Sequence, residues 1–440
     1  MLGYYLKTAC ASLRRTPVTT LLRVLAIGLG IGASMTMLTV LHVMSRDPLP
    51  ARSARLYVPH LDPLPKGYPS NREWGDPSNN LTWPDAMELL HAKRATAQAA
   101  MAGGQLLVWP EQERSLPVEL EGRYATHQFF PMFGLPFVAG QGWSEADDEA
   151  HARVVVVSQT LARKLFGSAD PLGTNIQLGK HQTGFRVIGI VGDWEPQPLF
   201  YADASSKGGF GTHDDFFLPL STAVELGLDS NNHFASWGTD ETEDMHTDPA
   251  TTWLQFWVQL DTPQEVADYR SFLHDYAAQQ HASGRFERPA ETARLYSLME
   301  WLQHLRLVPD DVRLQALLAG GFLLVCLANI IALLLAKFLR RGGEIGVRRA
   351  LGAQRRHIFL QFGIEALLVG TLGGVLGIVV AEVGLWSVRQ RPDAYARVAQ
   401  MDASMLLSTV ALAIAAAVLA GLLPAWRASR IAPALQIKAL

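Results

Sequence analysis

The distribution of apolar and polar positions divides the chain into four long apolar runs separated by polar segments of unequal length. The runs cover residues 21–44, 314–338, 358–386 and 405–426, and each reaches the ~20 residues that a helix needs to cross a bilayer. The first run exceeds the roughly 7–15 apolar residues of a secretion signal, so we expect a retained span. A buried core helix is the alternative for any single run. The pattern predicts four transmembrane helices.

Residues 1–20 carry an amphipathic pattern of their own. Apolar side chains recur at helical spacing, at Leu2, Tyr5, Leu6, Ala9 and Leu13. Basic residues occupy other positions, and a proline at position 17 would end the helix. The pattern predicts a helix lying on the inner leaflet, with a disordered basic tail as the alternative.

The long segment 45–313 mixes helical and strand patterns and is predicted to form a large α+β domain. Helices are indicated over residues 84–93 and from Pro263, where Asp261 or Thr262 can supply the cap. Strand patterns cover residues 106–109, 116–124, 251–260 and 290–298. Between them, a buried strand, a helix and a strand pair indicate an inserted lobe over approximately 130–250. Residues 203–248, rich in Gly, Ser, His and Asp, are predicted to be a long exposed loop.

The formal net charge of −3 conceals a strong partition of charge along the chain. Segments 1–23, 337–357 and 427–440 hold 14 basic residues and one acid, Glu344, whereas residues 45–313 hold 21 basic and 36 acidic residues. Short loops rich in Lys and Arg remain in the cytoplasm, and large domains are translocated regardless of charge. We therefore expect both termini, including the tail 427–440, and segment 339–357 to be cytoplasmic, and residues 45–313 to be outside. The loop 387–404 should also be outside. Its three arginines are a mild exception to the rule that basic loops stay in the cytoplasm.

No motif in the chain supports catalysis. The G-x-x-x-x-G-K-[ST] motif that holds ATP phosphates is absent, as is the G-x-S-x-G motif of serine hydrolases. The only cysteines, Cys10 and Cys326, lie outside the large domain, which must fold without disulfides. We predict no catalytic residue and no cofactor bound directly.

Two groups in the predicted loop contain residue types that ligate metals. They are His213 with Asp214 and Asp215, and Asp244 with His246 and Asp248. Solvated acidic loops are far commoner than metal sites. The prediction is therefore that no metal ion is bound.

Small residues inside the apolar runs indicate close helix packing. G-x-x-x-G spacing relates Gly28 to Gly32, Gly370 to Gly374, and Gly373 to Gly377. This spacing lets helix backbones approach closely in lipid, where no hydrophobic effect drives association. A specific partner helix and packing within the chain both explain it.

Two carboxylates also lie in the third run, Glu365 and Glu382. Charges are costly in lipid. We therefore expect both carboxylates in the outer turns of the span, where snorkelling or a cavity keeps them hydrated. A structural or interfacial placement is favoured, with a proton relay as the alternative.

Between the second and third runs, GGEIGVRRALGAQRRHIF (residues 342–359) reads as an amphipathic helix with a basic face. Arg348 stacks with Arg355 and Arg349 with Arg356, while Glu344 can pair with Arg348 one turn away. Such a face could hold anionic lipid headgroups. Small and apolar residues between the arginine rows favour docking against a cytoplasmic protein.

At these residues the chain resembles the MacB/FtsX-type ABC transporter permeases. The similarity is carried by EIGVRRALGAQRRHIFLQFGIEALLVGTLGGVLGIVVA (residues 344–381), LRRTPVTTLLRVLAIGLGIGA (13–33), LARKLFGSADPLGTNIQL (161–178) and LPAWRASRIAPALQIKAL (423–440). Over residues 203–248 we identify no motif of that family, so the substrate is hardest to infer there. The resemblance implies an α-helical membrane protein with four transmembrane helices, located in the bacterial inner membrane, and a periplasmic α+β domain with a MacB-like core and an inserted subdomain.

The resemblance also implies partners. A separate ABC ATPase, which would hold ATP and Mg, would dock on Glu344, Ile345, Gly346, Arg348, Arg349, Leu351, Gly352 and Ala353. MacB carries its nucleotide-binding domain on the same chain, whereas this sequence begins at the membrane, so the ATPase is expected on another chain. A second permease copy or a paralogue, and an adaptor with an outer-membrane channel, are further expected partners.

These implications lead to one expected function and two alternatives. The expected function is that of an exporter permease, in which ATP hydrolysis by the partner moves the periplasmic domain and expels an antibiotic, peptide or toxin. An FtsX-like regulator of a periplasmic hydrolase is one alternative, and a Lol-like lipoprotein-releasing permease is the other.

Overall fold

A computed structural model describes residues 2–68, 76–109, 117–167, 170–203, 209–211, 213–238, 246–340, 351, 354–390, 400–401 and 403–429. The chain forms two compact units. One consists of Met1–Ser45 and Val308–Leu440, and the other of Arg46–Leu307. The described part of the first unit is helical, and the second mixes helices with a sheet.

The helices of the first unit are long and those of the second are mostly short. They are α1 Leu2–Arg15, α2 Pro17–Ser45, α3 Trp83–Ala92, α4 Phe129–Phe133, α5 Glu145–Glu149, α6 Gln159–Phe166, α7 Leu220–Glu225, α8 Pro263–Ala282, α9 Leu298–His304, α10 Asp310–Arg340, α11 Arg355–Arg389 and α12 Ala403–Ser429. The strands are β1 Leu56–His60, β2 Leu81–Thr82, β3 Ala97–Trp109, β4 Val118–Ala125, β5 Phe137–Gly140, β6 Val154–Ser158, β7 Asn175–Leu178, β8 Thr183–Val191, β9 Phe216–Pro219, β10 Ala235–Ser236, β11 Thr251–Gln259 and β12 Arg294–Ser297.

Three helices in the described part of the chain are long and apolar enough to cross a membrane: α2, α10 and α11. In α12, which contains the fourth predicted span, the shorter apolar stretch Ala403–Ala416 is described. The helices continue past the predicted spans; α10, for example, begins at Asp310, where acidic side chains suit the positive end of a helix. Of the predicted cytoplasmic segment 339–357, the first two residues belong to α10 and the last three to α11. Gln354 is extended, so the helix predicted over residues 342–359 is interrupted there.

The second unit is built on one twelve-stranded sheet. Its main order is β12-β1-β11-β3-β4-β9-β6-β8-β5, with β2 and β10 paired to β11 and β7 paired to β3 and β8. Most pairs are antiparallel, but β4 with β9 and β6 with β8 are parallel. The strand pattern predicted over residues 251–260 is β11, and Thr262 caps α8 by accepting from the backbone N–H of Glu265.

The predicted inserted lobe contributes β5 to β10 to this same sheet. The parallel pair β4–β9 and the antiparallel pair β3–β7 join it to strands that precede residue 130, and the antiparallel pair β10–β11 joins it to a strand that follows residue 250. Residues 46–307 form one compact unit as a result.

The prediction of a long exposed loop over residues 203–248 is wrong for the part that the structure describes. That part contains β9, α7 and β10, and the strand residues Phe216, Phe217 and Leu218 are fully buried. The four residues of β9 are buried on both faces and show no alternation, so a short apolar run inside polar sequence carried too little periodic signal.

Candidate functional site in the transmembrane helices

The glycines of α2 lie against α11 of the same chain. A Cβ atom added to Gly28 would lie 2.7 Å from the Leu376 side chain, and one added to Gly32 would lie 2.4 Å from Val380. Real Cβ contacts are longer, since carbon atoms attract best at about 3.5–4.0 Å. Any side chain at these positions would therefore push the helices apart.

The α11 glycines make the reciprocal contacts. Gly373 would place a Cβ 2.5 Å from Ile27, and Gly377 would place one 3.0 Å from Ile31. Gly374 lies against α12 instead, where an added Cβ would be 2.7 Å from Cβ of Ala413. Gly370 is buried. These described contacts lie within one chain, so packing between α2, α11 and α12 accounts for the G-x-x-x-G spacing.

Two further glycine contacts were missed by the sequence analysis. Gly384 would place a Cβ 2.4 Å from Oγ1 of Thr36, and Gly30 would place one 3.1 Å from Cys326 on α10. Neither glycine has a partner glycine at G-x-x-x-G spacing that would have drawn attention to it.

Glu365 is the centre of a buried polar cluster, which we define as Ser12, Lys337 and Glu365. Its side chain is 1% exposed, forms an ion pair with Lys337 of α10, and accepts a hydrogen bond from Oγ of Ser12 of α1 at 3.1 Å. The expectation that Glu365 would be kept wet is wrong, because these two partners replace water. Glu382 is about half-exposed, with Oε2 3.9 Å from Nη2 of Arg389.

A second basic residue lies buried near the same end of the bundle. Arg23 of α2 donates from Nη2 to the carbonyl oxygen of Leu333 on α10, at 3.4 Å. On the sequence alone, Arg23 and Lys337 contribute only to the predicted cytoplasmic charge. Both residues lie just inside a predicted apolar run, and a charge there needs a buried partner or access to water. This position could have indicated that the two residues are paired within the bundle.

Most of the predicted ATPase-docking residues lie outside the described residues: Glu344, Ile345, Gly346, Arg348, Arg349, Gly352 and Ala353. Leu351 is described, and it is 83% exposed. On the flanking helix α11, Arg356 is exposed and Ile358 is buried in the bundle. An apolar residue as exposed as Leu351 is compatible with a docking surface.

Two protein families account for most of the chain. Residues 20–271 match the MacB-like periplasmic core domain, and residues 316–433 match the FtsX-like permease C-terminal region. The chain belongs to the MacB/FtsX-type ABC transporter permeases.

The permease is similar in sequence to several curated proteins. It is 27% identical to the macrolide export ATP-binding/permease protein MacB of Rhodospirillum rubrum, over 99% of this chain and 60% of that protein. It is also 27% identical to the pyoverdine export ATP-binding/permease protein PvdT of Pseudomonas entomophila, over 83% of this chain and 49% of that protein. The chain thus spans about half the length of these relatives.

A solved structure also resembles the permease. The periplasmic region of MacB from Actinobacillus actinomycetemcomitans is 16% identical, with a TM-score of 0.36, and the match covers 59% of this chain and 94% of that one.

In the permease's second unit, the candidate metal ligands mainly contact residues outside their own groups, although Nε2 of His213 lies 3.7 Å from Oδ1 of Asp215. Asp214 pairs with Arg123, Nδ1 of His213 lies 3.1 Å from Oε1 of Glu195, and Asp248 accepts hydrogen bonds from Thr251 and from the backbone of Ala250. Asp244 lies outside the described residues. Within the described ranges, no three metal-ligating side chains come together.

Proposed function

We propose that this chain is the non-catalytic permease subunit of an ABC exporter that works by mechanotransmission. An ABC ATPase on another chain would bind ATP and Mg and dock on the segment between α10 and α11. Its hydrolysis cycle would move the periplasmic domain and expel a substrate such as an antibiotic, peptide or toxin. Family membership supports the permease role, and the names of the macrolide and pyoverdine exporters support export of organic molecules.

One observation supports mechanical coupling more than any other. The proposed docking segment is joined at each end to a membrane helix, and these helices, α10 and α11, are linked by the buried ion pair of Lys337 and Glu365. A buried ion pair loses much of its energy when its partners separate, so it favours concerted movement of the two helices.

The proposal includes an orientation and further partners. Both termini and the docking segment would be cytoplasmic and the second unit periplasmic, in the inner membrane. A second permease copy or a paralogue would complete a dimer, and a periplasmic adaptor with an outer-membrane channel would receive the substrate. The high proportion of basic residues in the cytoplasmic segments supports this orientation.

The test begins with affinity capture of the full chain from its native membranes. We expect an ABC ATPase to copurify and to be stimulated by the permease. Reversing the charges of Arg348 and Arg349 to Glu should abolish both effects while the permease stays folded. Copurification and stimulation that survive this change would contradict the docking role.

The match to the FtsX-like permease region favours a second candidate, a transmembrane regulator of a periplasmic hydrolase. Deletion of the gene separates the two functions. Increased drug susceptibility with normal cell separation is expected for an exporter. Chained cells with unchanged susceptibility would favour the regulator.

A further inference from the structure

The two helices that flank the proposed docking segment pack mainly against other helices. Among the described residues, α10 contacts α2 and α12, and α11 contacts these two helices and α1, whereas α10 and α11 have little backbone contact with each other. Their backbones therefore approach each other mainly through α2 and α12, although apolar side chains of both helices belong to one buried core.

The buried polar cluster connects α10 and α11 directly. Lys337 lies in the last turn of α10, three residues before Arg340, and Glu365 lies ten residues into α11. Both side chains are nearly inaccessible to solvent, so the pair is shielded from water and from salt. Because Glu365 also accepts a hydrogen bond from Ser12, its carboxylate contacts both α10 and α1, and Ser12 lies 353 residues away from it along the chain.

From this arrangement we infer that Glu365 is a positioning residue for coupling: through Lys337 and Ser12 it makes α10, α11 and α1 move together when the docking segment is displaced. The inference rests on the proposed function for its role in ATP-driven coupling. The geometric link between the helices does not depend on an ATPase. The two can therefore be tested separately.

The decisive variant replaces the ion pair by apolar residues of similar volume, Lys337→Met with Glu365→Met. Each single substitution strands one buried charge and should lower thermal stability. The double variant removes both charges, a change that is often neutral or stabilising in an apolar interior. It should therefore fold while lacking the bridge. A purely structural role predicts that the double variant behaves like the wild type in every assay.

The first measurement needs no ATPase. A spin label on the native, exposed Cys10 of α1 is paired with one on Arg356→Cys of α11, in a Cys326→Ala background and in nanodiscs. We expect a narrow distance distribution in the reference protein and a broad one in the double variant. The swapped pair, Lys337→Glu with Glu365→Lys, should restore the narrow distribution. Should the double variant fail to accumulate, Lys337→Leu with Glu365→Leu, which also removes both charges, serves in its place.

The second measurement uses the ATPase that is captured with the full chain. In the double variant we expect normal copurification but at least a roughly fivefold loss of ATPase stimulation, the lower end of typical coupling energies. The matched control is Glu382→Gln with Arg389→Gln, a partly exposed ion pair within α11. It should change neither measurement.

The outcomes distinguish the two hypotheses. If the double variant keeps both the narrow distribution and full stimulation, Glu365 only contributes to packing and the inference is wrong. If no ATPase copurifies with the wild type, the proposed function fails, and the distance measurement still decides whether Glu365 links the helices.

Discussion

Arg123 and Asp214 form an ion pair from which water is excluded. Nε of Arg123 lies 3.2 Å from Oδ2 of Asp214, and the two side chains are 1% and 2% exposed. The guanidinium also lies over the Tyr201 ring, 4.8 Å from its centroid. Arg123 belongs to β4, and Asp214 lies just before β9 in the segment predicted to be an exposed loop. The pair fixes that segment to the centre of the sheet.

Removing one partner of this pair should strongly destabilise the second unit. We expect Asp214→Ala to lower the free energy of unfolding by about 3–5 kcal/mol, because Arg123 keeps its buried charge without its carboxylate. Urea unfolding followed by tryptophan fluorescence measures this, since nine of the 11 tryptophans lie in residues 46–307. The control Arg123→Met with Asp214→Leu should recover most of the loss. A change of less than about 0.5 kcal/mol in Asp214→Ala would mean that the pair contributes little.

The same substitution at two glycines should have effects of opposite sign. Gly32→Ala should destabilise the helical unit by about 1–3 kcal/mol, because its Cβ would overlap Val380 of α11. Gly363→Ala should be neutral or stabilising by up to about 1 kcal/mol, since no atom lies within 4 Å of its Cβ position and alanine favours helices. Circular dichroism during a dodecyl sulfate titration compares them. Equal effects at the two sites would argue against close packing of α2 on α11.

His60 should make the stability of the second unit depend on pH. Its ring is buried beside Tyr296 and His304, with Nε2 3.2 Å from Oγ of Ser78, and burial lowers the pKa of His60 to about 4. The unfolded chain takes up this proton near pH 6.5, so stability is full above that pH and falls as the pH approaches 4.

The corresponding loss between pH 7 and pH 4 is about 3 kcal/mol. We expect His60→Phe to flatten this part of the profile, because phenylalanine carries no titrating group. Ser78 would still donate to Asp76 at 2.7 Å. Urea unfolding of both proteins from pH 7 to pH 4 provides the comparison. Parallel profiles would show that other groups cause the pH dependence.

Topology reporters test the proposed orientation. Alkaline phosphatase, which is active only outside the cytoplasm, should be active when inserted at Gly284, an exposed turn after α8. It should be inactive when inserted at Leu351, where a fluorescent protein should be bright. Phosphatase activity at Leu351 would put the docking segment beyond the reach of a cytoplasmic ATPase, and the proposed function would be abandoned.

Local sequence patterns were sufficient for some elements. The apolar runs identified α2, α10 and α11, because the length needed to cross a bilayer is a property of the run alone. Strand β11 was also predictable, and the cap of α8 was narrowed to Asp261 or Thr262, since alternation and capping act over a few residues. Packing of the α2 and α11 glycines followed from G-x-x-x-G spacing, although the spacing did not say which helix would be the partner.

Other features depended on residues far apart in the chain. Strand β9 is only four residues long, and its burial depends on parallel pairing with β4. Nothing local to Glu365 indicates that it pairs with a lysine on α10 and a serine 353 residues away on α1.

By itself, the sequence determined the helices that can span a membrane, the size of the large domain and the family, because length, hydropathy and motifs are local properties. Only the tertiary structure decided which charges are buried together. The reason is physical: the cost of burying a charge depends on the partner that replaces its water, and that partner comes from packing between distant segments.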